Sequence, residues 1–123
     1  MIRSGNRPSW QDGLEISIQI CKALEFAHAG GFLHRDIKPE NVWIQSDGLV
    51  KILDFGIACL PGSATLTKAG QTMGTPDDMA PEQIMGEPLD GRSDIYAMGV
   101  LMYEMFTGIR PFTGPNAVTV IYK

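Results

Sequence analysis

Cysteine is scarce in this sequence: Cys21 and Cys59 are the two in 123 residues, far apart and without metal-like spacing. That excludes a disulfide framework and a cysteine-based zinc site, and it suits a reducing compartment. Long apolar runs are missing as well. The longest, Ile95 to Met105, is broken by Glu104 and is too short to span a bilayer. No basic segment followed by an apolar one opens the chain, so the expectation is a soluble, cytoplasmic protein without a membrane segment. There is also no internal repeat and no low-complexity tract. The formal net charge is only −4, with a pI near 5.0 and both signs interspersed, a balance that speaks against nucleic-acid binding.

A chain of 123 residues ordinarily makes one domain with a modest core. Residues Met1 to Pro8 are polar and broken by Gly5 and Pro8, as in a linker or loop. Ser9 can cap a helix from Trp10 to about Ala29, where Leu14, Ile18, Cys21 and Leu24 to Ala27 recur at three- and four-residue spacing. On that spacing Cys21 belongs to the core. Gly30-Gly31 ends the helix. Val42 to Gln45 and Leu49 to Leu53 are β-rich and flank Ser46-Asp47-Gly48, a hairpin signal. Residues 57–79 lose periodicity and collect Pro, Gly and Thr, which predicts a long functional loop. A further helix runs from Arg92 or Ser93 through Thr107, with Ser93 and Asp94 at its start and Gly108 at its stop. It is apolar nearly all round, as in a helix buried inside a larger body. Asn116 can cap a last helix.

The most informative stretch is His34-Arg35-Asp36-Ile37-Lys38-Pro39-Glu40-Asn41, followed after a hairpin's length by Asp54-Phe55-Gly56. The hairpin would bring Asn41 and Asp54 close enough to share a metal. A phosphoryl group in transfer spreads negative charge over its oxygens, so its enzymes supply carboxylates, a cation and metal ligands and do little covalent chemistry. The residue types in this stretch are of that kind.

With Ala80-Pro81-Glu82 downstream and Gly74-Thr75-Pro76 before it, these motifs resemble the catalytic loop, metal-binding turn and loop anchor of a protein kinase. The wording of Met79 to Gln83 and Arg92 to Gly99 is most similar to bacterial members of the eukaryotic-like serine/threonine kinase family. The resemblance covers essentially the whole chain, residues 1–123. It implies a mainly α fold with a small β-hairpin, the C-terminal lobe of a kinase-like fold, with 57–79 as activation loop. It also implies an enzyme that uses ATP and Mg²⁺ to phosphorylate serine or threonine of a protein substrate. Asp36 would accept or orient the hydroxyl proton, Lys38 would reach the transferred phosphate, and Asn41 and Asp54 would hold the metal. Lys38 and Thr75 suggest serine/threonine specificity, with Thr75 in the substrate-binding loop. Asp94 would accept hydrogen bonds from the catalytic-loop backbone, His34 and Phe55 would pack in the spine linking the lobes, and Gly56 would serve the turn. Arg35 would pair with a phosphate on the long loop, which makes Thr67, Thr72 and Thr65 candidate phosphosites.

The sequence departs from the family in its reach. No glycine-rich loop, Val-Ala-x-Lys strand or glutamate-bearing helix precedes His34, and the arginine that usually pairs with Glu82 would lie beyond Lys123. These 123 residues alone are therefore expected to transfer phosphate negligibly and to be sticky in isolation. A non-catalytic kinase-like regulatory fragment, or a truncated gene product, is the alternative. Asp77-Asp78 stands where a tyrosine commonly takes the second place. Acid there would favour basic residues in a substrate.

Overall fold

The computed structural model describes residues 7–53 and 78–114. Three helices and one two-stranded antiparallel sheet are built from them: α1 (Trp10–Ala29), β1 (Val42–Ile44), β2 (Val50–Ile52), α2 (Pro81–Ile84) and α3 (Gly91–Thr107). A single 3-10 turn, Pro39–Asn41, leads into β1.

Helix α1 starts where the sequence predicts. Ser9 Oγ accepts the Asp12 N–H at 3.1 Å and donates to the Asp12 carboxylate at 2.7 Å, so one orphan donor of the first turn is satisfied. Beyond its last turn Gly31 takes a left-handed φ of 80°, which reverses the chain toward residue 34. The buried face of α1 meets the expectation at Leu24 and Ala27 and departs from it earlier in the helix: Ile16 and Ile20 are inside, whereas Leu14, Ile18 and Cys21 are exposed. Two apolar stripes coexist on this helix, and the partner helix selects one of them.

That partner is α3. Its start also shifts from the expectation: Asp90 is the cap, accepting the Arg92 N–H at 2.9 Å, and Ser93 and Asp94 lie buried in the first turn. Gly108, with φ 77°, closes the helix. The two helices approach closely at Gly13, where an added Cβ would come within 2.6 Å of the Phe106 ring. Helix α3 is buried on one side only, through Ala97, Met98, Val100, Leu101 and Met105. Ile95 and Tyr103 are exposed.

One core joins these elements. Ile16, Ile20 and Leu24 of α1 meet Ala97, Met98, Leu101 and Met105 of α3, with Ile37 and Val42 inserted from the intervening loop and β1. Removing a side chain of that size from water contributes about 2 kcal/mol, so Ile37 alone anchors the loop it belongs to. The hairpin pairs Val42 with Ile52 and Ile44 with Val50. Gln19 of α1 fastens it, donating to the Gly48 carbonyl at 3.1 Å and accepting the Val50 N–H at 3.0 Å. Among the described residues no helix is long and apolar enough to cross a membrane.

Candidate active site

The loop from His34 to Asn41 hangs between α1 and β1 and is held by α3. Asp94, only 1 % exposed, accepts the His34 N–H at 2.9 Å on Oδ2 and the Arg35 N–H at 2.8 Å on Oδ1. His28, from the last turn of α1, donates Nε2–H to the same Oδ2 at 2.7 Å. A buried carboxylate with three donors is thereby satisfied, and it ties α1, the loop and α3 at one point. The close fit extends to Gly91, where a Cβ would lie 2.9 Å from His28 Nδ1.

His34 is fully buried and works as a strut. Its Nε2–H donates to the Leu53 carbonyl at 3.1 Å, and its Nδ1 accepts the Asp36 N–H at 3.2 Å. The two roles select the tautomer protonated on Nε2. One imidazole thus links the end of the hairpin to the backbone of Asp36.

Asp36 itself faces outward, with its side chain 28 % exposed. Its Oδ2 receives Lys38 Nζ at 2.8 Å and Asn41 Nδ2 at 2.9 Å, and the same Asn41 amide donates to the Asp36 carbonyl at 2.8 Å. Among the described residues both partners of the carboxylate fall on Oδ2, leaving Oδ1 to accept a proton from outside. Asn41 is 7 % exposed, and its backbone carbonyl accepts the Leu53 N–H at 2.8 Å, so the residue before Asp54 is fastened to it.

Behind the loop, α2 carries the anchor residues. Glu82 accepts the Ser93 hydroxyl at 2.6 Å, and Gln83 Nε2 donates to the Arg35 carbonyl at 2.7 Å.

With this geometry in place, the comparisons with known proteins are decisive. The protein kinase domain family matches residues 3–122. The serine/threonine-protein kinase PknA of Mycobacterium tuberculosis is 43% identical over 123 residues, covering all of this chain and 28% of that relative. PknB of Mycobacterium leprae is 41% identical over 114 residues, 92% of this chain and 18% of the relative. A probable serine/threonine-protein kinase of Clostridium perfringens is 42% identical over 114 residues, 93% of this chain and 17% of the relative. The chain belongs to the bacterial-type serine/threonine protein kinase family.

Across these three relatives the chain spans between 17% and 28% of their length. Kinases of this family work with ATP and magnesium. The Asn41 side chain has the chemistry to suit an oxygen-ligated cation: its amide nitrogen is committed to Asp36, and its amide oxygen is the kind of donor such a cation takes. No cluster of three or more histidine, cysteine or acidic side chains that could hold a metal occurs among the described residues. Asp54, the second expected ligand, lies outside them, as do Phe55, Gly56, Thr65, Thr67, Thr72 and Thr75.

The structure gives Asp78 a different place from the one its sequence suggests. It is 7 % exposed and faces Arg110 at 3.6 Å, and Arg110 stands equally far from Glu104. Asp78 is thus paired with an arginine of this chain, while Asp77 lies outside the described residues. His28, Gln83 and Ser93 are contacts that sequence reasoning missed. Each is an ordinary polar residue until the fold sets it beside the catalytic loop, although His28 carries one signal, an imidazole in the last turn of an otherwise apolar helix.

Proposed function

We propose that this chain is the catalytic-loop portion of an ATP-dependent protein serine/threonine kinase, which moves the ATP γ-phosphate to serine or threonine hydroxyls of a protein substrate. The observation that carries this reading is Asp36, with Oδ2 gripped by Lys38 and Asn41 and its backbone braced through His34 and Asp94.

The substrate hydroxyl gives its proton to Asp36 Oδ1 as its oxygen bonds to the γ-phosphorus. The bond from that phosphorus to the bridging oxygen breaks, and ADP departs with the electron pair. Lys38, a compact cation on the same carboxylate, would meet the charge spreading over the phosphoryl oxygens. Magnesium, held by Asn41 and Asp54, would supply further neutralisation of the phosphates. Thr75 is proposed to stand beside Asp36 and Lys38 in the substrate loop.

Arg35 supports control by phosphorylation. Its Nε is buried and has no hydrogen-bond partner among the described residues, a donor that a phosphate oxygen would satisfy. Thr67, Thr72 and then Thr65 are the proposed phosphosites. The scarcity of cysteine fits a cytoplasmic location.

Transfer from labelled ATP tests the reading, measured on the chain extended at both ends to the length of a kinase domain. Magnesium-dependent transfer that falls about 100-fold or more after Asp36→Asn is expected. No transfer by the folded, extended chain, or equal transfer by the variant, would refute it. Phosphopeptide mapping of the same protein should find phosphate on one of the three threonines. Unmodified threonines, with full activity after their change to alanine, would remove the proposed switch.

A further inference from the structure

Arg35 is the only non-glycine residue with positive φ among the described residues, at 67°. A side-chain-bearing residue in the left-handed region is strained, so the surroundings must restrain it. On its N-terminal side the Arg35 N–H is taken by Asp94 Oδ1 at 2.8 Å. On its C-terminal side the Arg35 carbonyl is taken by Gln83 Nε2 at 2.7 Å.

That carbonyl belongs to the same peptide plane as the Asp36 N–H, which donates to His34 Nδ1 at 3.2 Å. The plane between Arg35 and Asp36 is therefore pinned at its oxygen by Gln83 and at its hydrogen by His34. Rotation of the plane would swing the bond that carries Asp36.

Only an amide suits the Gln83 position. Its Oε1 receives the Ala80 N–H, at a long 3.4 Å, which turns Nε2 toward Arg35. This is half of a capping box, since Ala80 has no side-chain oxygen to complete it. Glutamate would set a carboxylate oxygen against the Arg35 carbonyl, and methionine would fill the space without donating.

We propose that Gln83 is a positioning residue for phosphoryl transfer, coupling the helix that follows the long loop to the orientation of Asp36. Helix α2 is the first described element after residues 54–77, and Glu82 moors it to Ser93 of α3 while Gln83 moors it to the catalytic loop. The proposal rests on the transferase reading above.

The test uses the chain extended at both ends, with Gln83→Glu and Gln83→Met, alone and combined with Arg35→Gly. Glycine adopts the left-handed conformation without strain and needs less restraint. Each Gln83 variant is expected to lower kcat about tenfold or more, with KM for ATP within about twofold. In the Arg35→Gly background the same change should cost less than about threefold, since the peptide no longer stores strain. Hydrogen exchange of the His34–Asp36 amides should quicken about tenfold in Gln83→Met.

Unchanged kcat, or an equal loss in both backgrounds, overturns the coupling. If the unsubstituted protein transfers no phosphate, the transferase reading fails, and exchange alone decides: unaltered protection of those amides overturns the coupling, and faster exchange upholds the physical link.

Discussion

At the scale of single residues, Asp94 carries more of the site than any group that would touch substrate. Two backbone donors and an imidazole converge on a carboxylate that is 1 % exposed. Asp94→Ala leaves those donors buried without an acceptor, at about 1–3 kcal/mol for each one orphaned. We expect urea unfolding to show a loss of about 3 kcal/mol, with transfer lost in the extended protein. A drop below about 1 kcal/mol would mean that water replaces the carboxylate easily. The aspartate was legible in the sequence because a known motif opens with it. His28 and Gln83 were not, because their partners are backbone and buried groups separated from them by 66 and 48 positions.

At the scale of elements, α1 shows where periodicity runs out. Its extent and its Ser9 cap could be read from local chemistry, but its inward face could not. Leu14, Ile18 and Cys21 recur as regularly as Ile16 and Ile20, which share the buried face with the expected Leu24, and only the position of α3 and the hairpin buries that pair. The hairpin depends on the same helix. Gln19→Ala removes two hydrogen bonds to its turn and should cost about 1–2 kcal/mol, with exchange at Val50 rising before exchange in α1.

The start of α3 has a pH dependence with a definite sign. The side-chain and backbone hydrogen bonds from Arg92 hold the Asp90 carboxyl down to about 2, from an ordinary 3.8. A folded-state value below the unfolded one means the cap is fully effective above about pH 4 and is lost as pH falls toward 2. The site is open to solvent, so added salt should weaken the effect. Protection factors at Arg92 and Ser93, corrected for the intrinsic exchange rate at each pH and followed from pH 5 to pH 2, should fall while the centre of α3 stays protected. At the alkaline end, burial and then the charge of Glu82 push the Tyr96 phenol up, favouring the neutral ring that stacks on Phe112 at 6.4 Å. Its contribution is present below about pH 10 and lost as pH rises past it.

At the scale of the whole molecule, the core and the exposed apolar surface are of comparable standing. Trp10, Leu14, Ile18 and Phe26 are between 45% and 85% exposed along a single helix. The 123 residues expressed alone should bind a hydrophobic dye and scatter light at micromolar concentration, while the chain extended at both ends should do so less. They should also transfer phosphate negligibly, because no glycine-rich loop or Val-Ala-x-Lys strand lies among them. Robust transfer by the short chain would refute this.

The juxtaposition of the polar side chains in the His34–Asn41 loop is a local property of the sequence. Asp36, Lys38 and Asn41 lie within a single turn of chain, so their types and spacing suffice to bring them together once Pro39 bends the backbone. The same holds for the hairpin, whose turn and β-rich arms are local. Tertiary packing alone sets which apolar residues of α1 face the core, the pairing of Asp78 with Arg110, and the hydrogen bond from Gln83 of α2 to the Arg35 carbonyl. These outcomes rest on contacts between segments distant in the chain, and no local pattern records them.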